Sequence, residues 1–301
     1  MDAPTVPSFS TSLARLLAEY PQRVWSLVIT IFGDAVAPRG GELALASLLA
    51  ITAAFGIQDG AVRTALSRLA SDGWIESRRR GRNSYYRLTA TGQAEFEVAT
   101  KRIYFAEATA WNGDWHVVIL SPDGNGRDPT RERLQREGYA ALTPGTYVRP
   151  LPEGREPAVV PGEGVLLSFR AQAEDLAAAR VLAARQWPLP ELAAAYRQFI
   201  ARFAPLGEAA SLAPPADRLT ALVARVLLIH AYRRIVLRDP QLPPALLPED
   251  WPGPEARRLC GRLYRVLLEP SERWLDEHGR NERGPLPPPV PSFFERFRGS
   301  G

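Results

Sequence analysis

Residues 55–88, FGIQDGAVRTALSRLASDGWIESRRRGRNSYYRL, decide the fold. The turn Phe55-Gly56-Ile57 leads to Asp59, whose carboxylate can accept from the free amides that open a helix. Val62, Ala65, Leu66 and Leu69 then recur at the spacing of one apolar helix stripe across residues 61–72. Gly73 closes that helix, because glycine takes the left-handed conformation of a helix end at little cost. Residues 74–78 and 84–88 read as strands joined by the basic turn 79–83, with Gly81 and Asn83 placed for a hairpin. A helix with a polar outer face followed by an arginine-tipped hairpin is the second half of a winged helix-turn-helix. Such a unit enters a major groove and grips the flanking phosphates.

Arg63, Thr64, Ser67, Arg68 and Ser71 lie away from the apolar stripe. Arginine matches the two acceptors of a guanine edge, and hydroxyls reach bases or phosphates. From Arg78 to Arg87 there are five arginines and no acid, so the hairpin carries a strongly positive field. Arg63, Thr64, Ser67 and Arg68 are therefore expected to read the groove. Arg78, Arg79, Arg80 and Arg82 are expected to hold phosphates, with Asn83 and Tyr85 beside them. The same residues also fit a solvated helix face coloured by arginine-rich codon usage, since Lys101 is the one lysine in the chain. Arg39, with Gly40 and Gly41 at a helix start, offers amides and a guanidinium to a phosphate, or simply makes a tight turn.

The remaining composition sets bounds. At 301 residues there is room for two or three domains, each with its own core. A net charge of +4 permits a polyanionic partner without requiring one. The single cysteine, Cys260, excludes an internal disulfide and a cysteine-based zinc site, which points to a reducing, cytoplasmic compartment. No apolar run is long enough to span a membrane, and no secretory leader is visible.

Along the chain, residues 1–20 read as a loose tail and 21–90 as the winged-helix domain, with helices expected at 23–32 and 42–54 around a connector at 33–41. Residues 91–110 read as a linker helix. Strands at 115–120, 140–148 and 165–169, with a helix at 129–137, predict a ferredoxin-like α/β sandwich over 111–173. Residues 174–280 predict a helical domain with helices at 174–186, 189–203, 216–238 and 254–278, and 281–301 a proline-rich tail whose 284–291 stretch is too rich in proline for regular structure. The fold class is multidomain α+β.

These residues resemble the PaaX family of bacterial transcription regulators along nearly the whole chain. The resemblance is carried by VITIFGDAVAPRGG (28–41), by residues 55–73 with Val62-Arg63-Thr64 and Arg68-Leu69, and by the hairpin at 74–88. Farther on it is carried by HAYRRIVLRDP (230–240), Leu242-Pro243, Leu247-Pro248 and Trp251-Pro252-Gly253. It implies a winged-helix head, a middle domain similar to the Cas2 nucleases and a helical C-terminal domain. It further implies a homodimeric repressor of phenylacetate catabolism, released from double-stranded operator DNA by phenylacetyl-CoA. A sibling regulator that senses another aromatic acyl-CoA, or that activates, is the alternative.

An acyl-CoA effector calls for arginines beside aromatic walls. Arg233, Arg234 and Arg238 with Tyr232 and Trp251 are the candidates, and the same residues also suit ion pairing and core packing. No cofactor or metal site is expected. His116, His230 and His278 show no metal spacing, and neither H-E-x-x-H nor G-x-S-x-G is present. His116 falls in an apolar strand, as a core histidine does. Residues 123–128 lack the spacing and closing glutamate of a calcium loop. Asp123 near the end of the first middle-domain strand keeps a metal-dependent nuclease as the competing reading from another class.

Overall fold

The computed structural model describes residues 7–19, 23–105, 110–121, 129–154 and 165–299. Asp123, the proposed nuclease residue, lies outside them, as does the 123–128 loop. The chain forms two compact units: Met1–Ala106, Tyr196–Leu237 and Gly253–Gly301 make the first, and Glu107–Ala195 with Arg238–Pro252 the second. Sequence order predicted consecutive blocks, whereas the compact units interleave.

In the first unit, α1 (Phe9–Glu19) buries Phe9, Leu13 and Leu16, so this part of the expected loose tail is an anchored helix. Helix α2 (Val24–Ile31) runs into a π-helical turn, Phe32–Val36, and a 3-10 turn, Ala37–Arg39, in place of the irregular connector. The predicted helix at 42–54 divides. Glu42–Ala44 is strand β1, and only Leu45–Ala53 is helix α3. Pairing decides this: β1 satisfies the outer edge of the hairpin strand, Glu42 opposite Arg87 and Ala44 opposite Tyr85.

Helix α4 (Asp59–Ser71) buries Val62, Ala65, Leu66 and Leu69, as the stripe predicts. Burying Val62, Leu66 and Leu69 contributes roughly 1.5–3 kcal/mol apiece. The cap is Gln58 rather than Asp59, without a side-chain bond; Asp59 sits in the first turn, where a carboxylate favours the helix dipole. Gly73 (φ +74) closes α4, with Trp74 N donating to Leu69 O and Gly73 N to Ala70 O. Strands β2 (Ile75–Arg80) and β3 (Asn83–Leu88) follow, joined by Gly81-Arg82 with Gly81 at φ +60. Asn83 therefore belongs to a strand, opposite Arg80. Helix α5 (Ala90–Tyr104) is capped by Thr89, whose side chain accepts from Gly92 N.

In the second unit, β4 (Asp114–Leu120), α6 (Pro129–Arg136), β5 (Ala140–Thr143), β6 (Thr146–Pro150), β7 (Val165–Gln172) and α7 (Leu176–Gln186) form an antiparallel sheet, order β5-β6-β4-β7, with its helices. The single strand expected at 140–148 is a hairpin turned at Pro144-Gly145. Leu134 of α6 packs with Val118, Leu120 and Tyr147. Ala179 and Ala183 of α7 pack with Trp115, Val117 and Val148, the alternate positions. The helices thus cover opposite faces, whereas α+β sandwiches commonly segregate them to one. The cause is that β4 is apolar on both faces.

Helix α8 (Leu189–Leu212) starts in the second unit and continues in the first, nine residues beyond its predicted end at 203. Helices α9 (Arg218–Val236) and α10 (Gly253–His278) pack within the first unit, followed by the short hairpin β8 (Arg280–Asn281) and β9 (Gly284–Pro285). Leu222, Val226, Trp274, Leu275 and Leu286 share one core with Leu27, Ile31, Leu48, Val62, Leu66 and Leu88. Of the residues expected to make a separate helical domain, 196–237 and 253–280 thus belong to the first unit and complete the core beneath α4, while 174–195 and 238–252 belong to the second. The proline-rich end is also ordered, with a 3-10 turn at Pro291–Glu295 and Phe293, Arg296 and Phe297 buried.

Candidate nucleic-acid interface

Helix α4 presents Arg63, Thr64, Ser67, Arg68 and Ser71 to solvent on the face opposite its buried stripe. Arg63 makes no ion pair among the described residues. Thr64 turns its hydroxyl back to Gly60 O at 3.0 Å. Arg68 is partly restrained, 5.1 Å over the Trp25 ring and 3.7 Å from the Asp72 carboxylate. Of the two arginines, Arg63 is the less tethered.

Strand alternation sorts the hairpin arginines onto two faces. Ile75 and Leu88 lie opposite each other and belong to the core, which assigns Ser77, Arg79, Ser84 and Tyr86 to the core-facing side of the sheet. Glu42, Glu76, Arg78, Arg80, Asn83, Tyr85 and Arg87 share the outer side. On that side Arg87 meets Glu42 at 3.2 Å, and Arg78 and Arg80 lie 3.4 and 3.8 Å from Glu282. Arg79 donates to Gly81 O at 3.3 Å. Arg79 and the tip residue Arg82, both exposed, meet no carboxylate among the described residues. The sequence groups four hairpin arginines as equivalents; among the described residues the structure pairs two with an acid and leaves two without one.

Arg39 does not stand at the surface. Its side chain is 1% exposed and donates to Glu272 at 2.6 and 3.0 Å and to Pro287 O at 3.0 Å, with Asp276 2.9 Å away. The expectation of a phosphate contact there is corrected by this burial. Arg39 belongs to a buried network that ties the turn before β1 to α9, α10 and the C-terminal segment. Asp34 accepts from Arg225 at 2.8 Å, Arg296 at 3.0 Å, and the Tyr104 and Tyr264 hydroxyls at 2.7 and 3.0 Å. Arg225 also donates to Glu272 at 2.6 Å, and the Arg296 guanidinium lies 4.0 Å over the Tyr104 ring. Burial alone would lower the Arg225 pKa, but Asp34 and Glu272 outweigh it and hold the guanidinium charged. Burial, with the neighbouring Asp34 charge, pushes both tyrosines up, so their hydroxyls remain donors.

The effector candidates fall on different units. Tyr232 is buried beside Phe199 and Phe297. Arg233 donates to Ser26 O and to the Thr30 hydroxyl, each at 2.8 Å, clamping α9 to α2. Arg234 is exposed in the first unit, and Arg238 is exposed in the second, where Trp251 packs against the second unit's core. A groove of about 470 Å³ between α8 and α10, walled by Gly207, Ala210, Leu259 and Leu263 with Glu208 and Arg262, is lined by none of these five. His116 is a core histidine, bonded to the Tyr139 hydroxyl at 2.6 Å. Burial, then Arg170 and Arg149, lowers its pKa, and burial pushes Tyr139 up to about 12.

Sequence reading passed over Asp34, Arg225, Glu272, Arg296 and Glu282. A signal existed for two: Asp34 interrupts VITIFGDAV and Arg225 interrupts ALVARVLLI, and a charge inside an apolar run is rarely buried without partners. Glu282 carried none.

A family model described as PaaX-like protein matches residues 23–92, and one described as PaaX-like protein C-terminal domain matches 187–277. The chain is 37% identical over 286 residues to the transcriptional repressor PaaX of Escherichia coli strain K12, covering 91% of this chain and 90% of that one. Among solved structures it is similar in fold to the uncharacterised protein Rv0674 of Mycobacterium tuberculosis. That match has a TM-score of 0.50 and 24% identity, over 76% of this chain and 89% of the other.

Proposed function

The chain belongs to the PaaX family, and on that premise we propose that it is a homodimeric DNA-binding repressor of phenylacetate catabolism, relieved by phenylacetyl-CoA. In this reading α3 and α4 are the helix-turn-helix and β2–β3 the wing. Helix α4 lies in the major groove, with Arg63, Thr64 and Ser67 toward base edges and Arg68 at the margin. Arg79 and Arg82 take backbone phosphates. The carrying observation is the two-sidedness of α4: a fully buried Val62/Leu66/Leu69 stripe under an exposed Arg63/Thr64/Ser67 face, beside an arginine hairpin. The order of the second unit's sheet supports its reading as the Cas2-like middle domain.

Effector release works by population shift, the thioester favouring a dimer whose heads no longer match the half-site spacing. Fluorescence anisotropy on the DNA upstream of the gene, titrated separately with phenylacetyl-CoA, phenylacetate and CoA, tests this. Release by the thioester alone is expected. Tight binding untouched by all three would transfer the reading to a sibling sensing another aromatic acyl-CoA, and absence of DNA binding would end it. Equal phenylacetyl-CoA affinity of free and operator-bound protein would refute the mechanism.

A further inference from the structure

The β8–β9 hairpin is fixed against the outer side of the arginine hairpin. Ser47 donates to His278 O at 2.9 Å and accepts from Arg280 N at 3.1 Å, while Glu42 accepts from Glu282 N at 2.9 Å. Leu286 is buried beneath, and a Cβ at Gly279 would come within 2.5 Å of both Leu275 O and the Leu286 side chain. This anchoring holds the Glu282 carboxylate, with 22% of its side chain exposed, between Arg78 and Arg80, which are 58% and 70% exposed. Arg280 and Arg283 of the same hairpin are exposed and add positive charge, so Glu282 is the one acid of that turn.

We propose that Glu282 is a specificity-determining residue that occupies Arg78 and Arg80 in place of phosphate, lowering affinity for DNA of any sequence. The proposal rests on the DNA-binding reading above. A carboxylate offers a guanidinium the same charge sign and paired acceptors as a phosphate. A DNA backbone approaching the outer side must displace it and meets its repulsion. The penalty falls on the sequence-independent part of binding, because Arg78 and Arg80 lie on a strand face away from α4's base-reading residues. Arg79 and Arg82 keep their phosphate role, so the hairpin grips with one side only, and the ratio of specific to non-specific affinity rises.

The test is anisotropy titration of full-length protein with a random-sequence duplex and with the upstream duplex across a salt series. Glu282→Gln, which keeps shape and removes charge, is expected to tighten random-duplex binding roughly three- to tenfold at low salt. It should also steepen the log–log salt slope by about one to two. The upstream-to-random ratio then falls, and Glu282→Asp stays near wild type. In an Arg78→Ala/Arg80→Ala background the gain disappears. Independently of any change at Glu282, Arg78→Ala weakens random-duplex binding less than Arg79→Ala does. Unchanged or weakened binding by Glu282→Gln overturns the proposal, as does an Arg78→Ala loss equal to that of Arg79→Ala. Wild-type protein that binds neither duplex overturns the DNA-binding reading too, so the two failures are told apart.

Discussion

Arg63 and Arg79 carry the same side chain and opposite expectations. Arg63 projects from α4 without an acidic partner among the described residues, so Arg63→Ala is expected to lose roughly 1–3 kcal/mol on the operator and to blur preference at particular base pairs. Arg79 belongs to the hairpin, and Arg79→Ala is expected to weaken all sequences alike and to reduce the salt slope by about one. Matched titrations on specific and random duplexes separate the two, and equal losses on both from each variant would remove the role assignment. His230 has a different consequence. Burial, then Arg233 and Arg234, lowers its pKa from 6.5 to about 3, with its Nδ1 2.9 Å from the Thr30 hydroxyl. The unfolded chain therefore binds a proton that the folded chain refuses. Stability from this group is present above pH 6.5 and is lost as pH falls toward about 3, at up to about 1.4 kcal/mol per pH unit. Urea midpoints between pH 7 and 5 are expected to fall with acid, and less steeply in His230→Asn.

At the scale of elements, the Asp34 network decides how the turn before β1 is held. The π-helical turn Phe32–Val36 directs Asp34 inward, where α9 supplies Arg225, α10 supplies Tyr264 and the C-terminal segment supplies Arg296. Gly33 allows this packing, since a Cβ there would meet the Phe96 ring at 2.7 Å. Removing Asp34 leaves the buried Arg296 without its carboxylate, Arg225 with Glu272 alone, and two tyrosine hydroxyls without their acceptor. Asp34→Ala is expected to destabilise by roughly 3–5 kcal/mol. Thermal denaturation reads this as a Tm drop on the order of 10 °C. A drop of only a degree or two would mean that the arginines find water or other acceptors.

At the scale of the molecule, chain order and compactness diverge. The first unit takes its core from residues before 107 and after 195, so its C-terminal helices are structural partners of α4 rather than a detachable module. Deleting residues 291–301 removes Phe293, Arg296 and Phe297, all buried. The shortened protein is expected to melt earlier and to lose DNA affinity with it, although none of these residues lies on α4 or the arginine hairpin. Circular dichroism melting beside anisotropy checks this; full stability in the shortened chain would show that the proline-rich end is dispensable.

The local signals were legible in sequence wherever one segment supplies its own reason. Val62, Leu66 and Leu69 repeat at helical spacing, Gly73 stops the helix, and Gly81 turns the hairpin; these determined α4, β2 and β3 before any neighbour was known. Residues 42–44, helical by local pattern, are a strand because they pair with the edge of β3, and residues 140–148 form a hairpin because Pro144-Gly145 turns the chain. The two helices of the second unit lie on opposite faces of its sheet because both sides of β4 are apolar. At the interface, the sequence marked every arginine but not its partner. Burial of Arg39 against Glu272, 233 residues away, and pairing of Arg78 and Arg80 with Glu282 arise only when distant segments meet. Periodicity and backbone conformational preference act over a few residues, so the sequence alone determined the elements that carry their own signal, α4 with its polar face and the β2–β3 hairpin. Charge pairing acts through space, so the tertiary structure alone decided which of those charges remain free to meet another molecule.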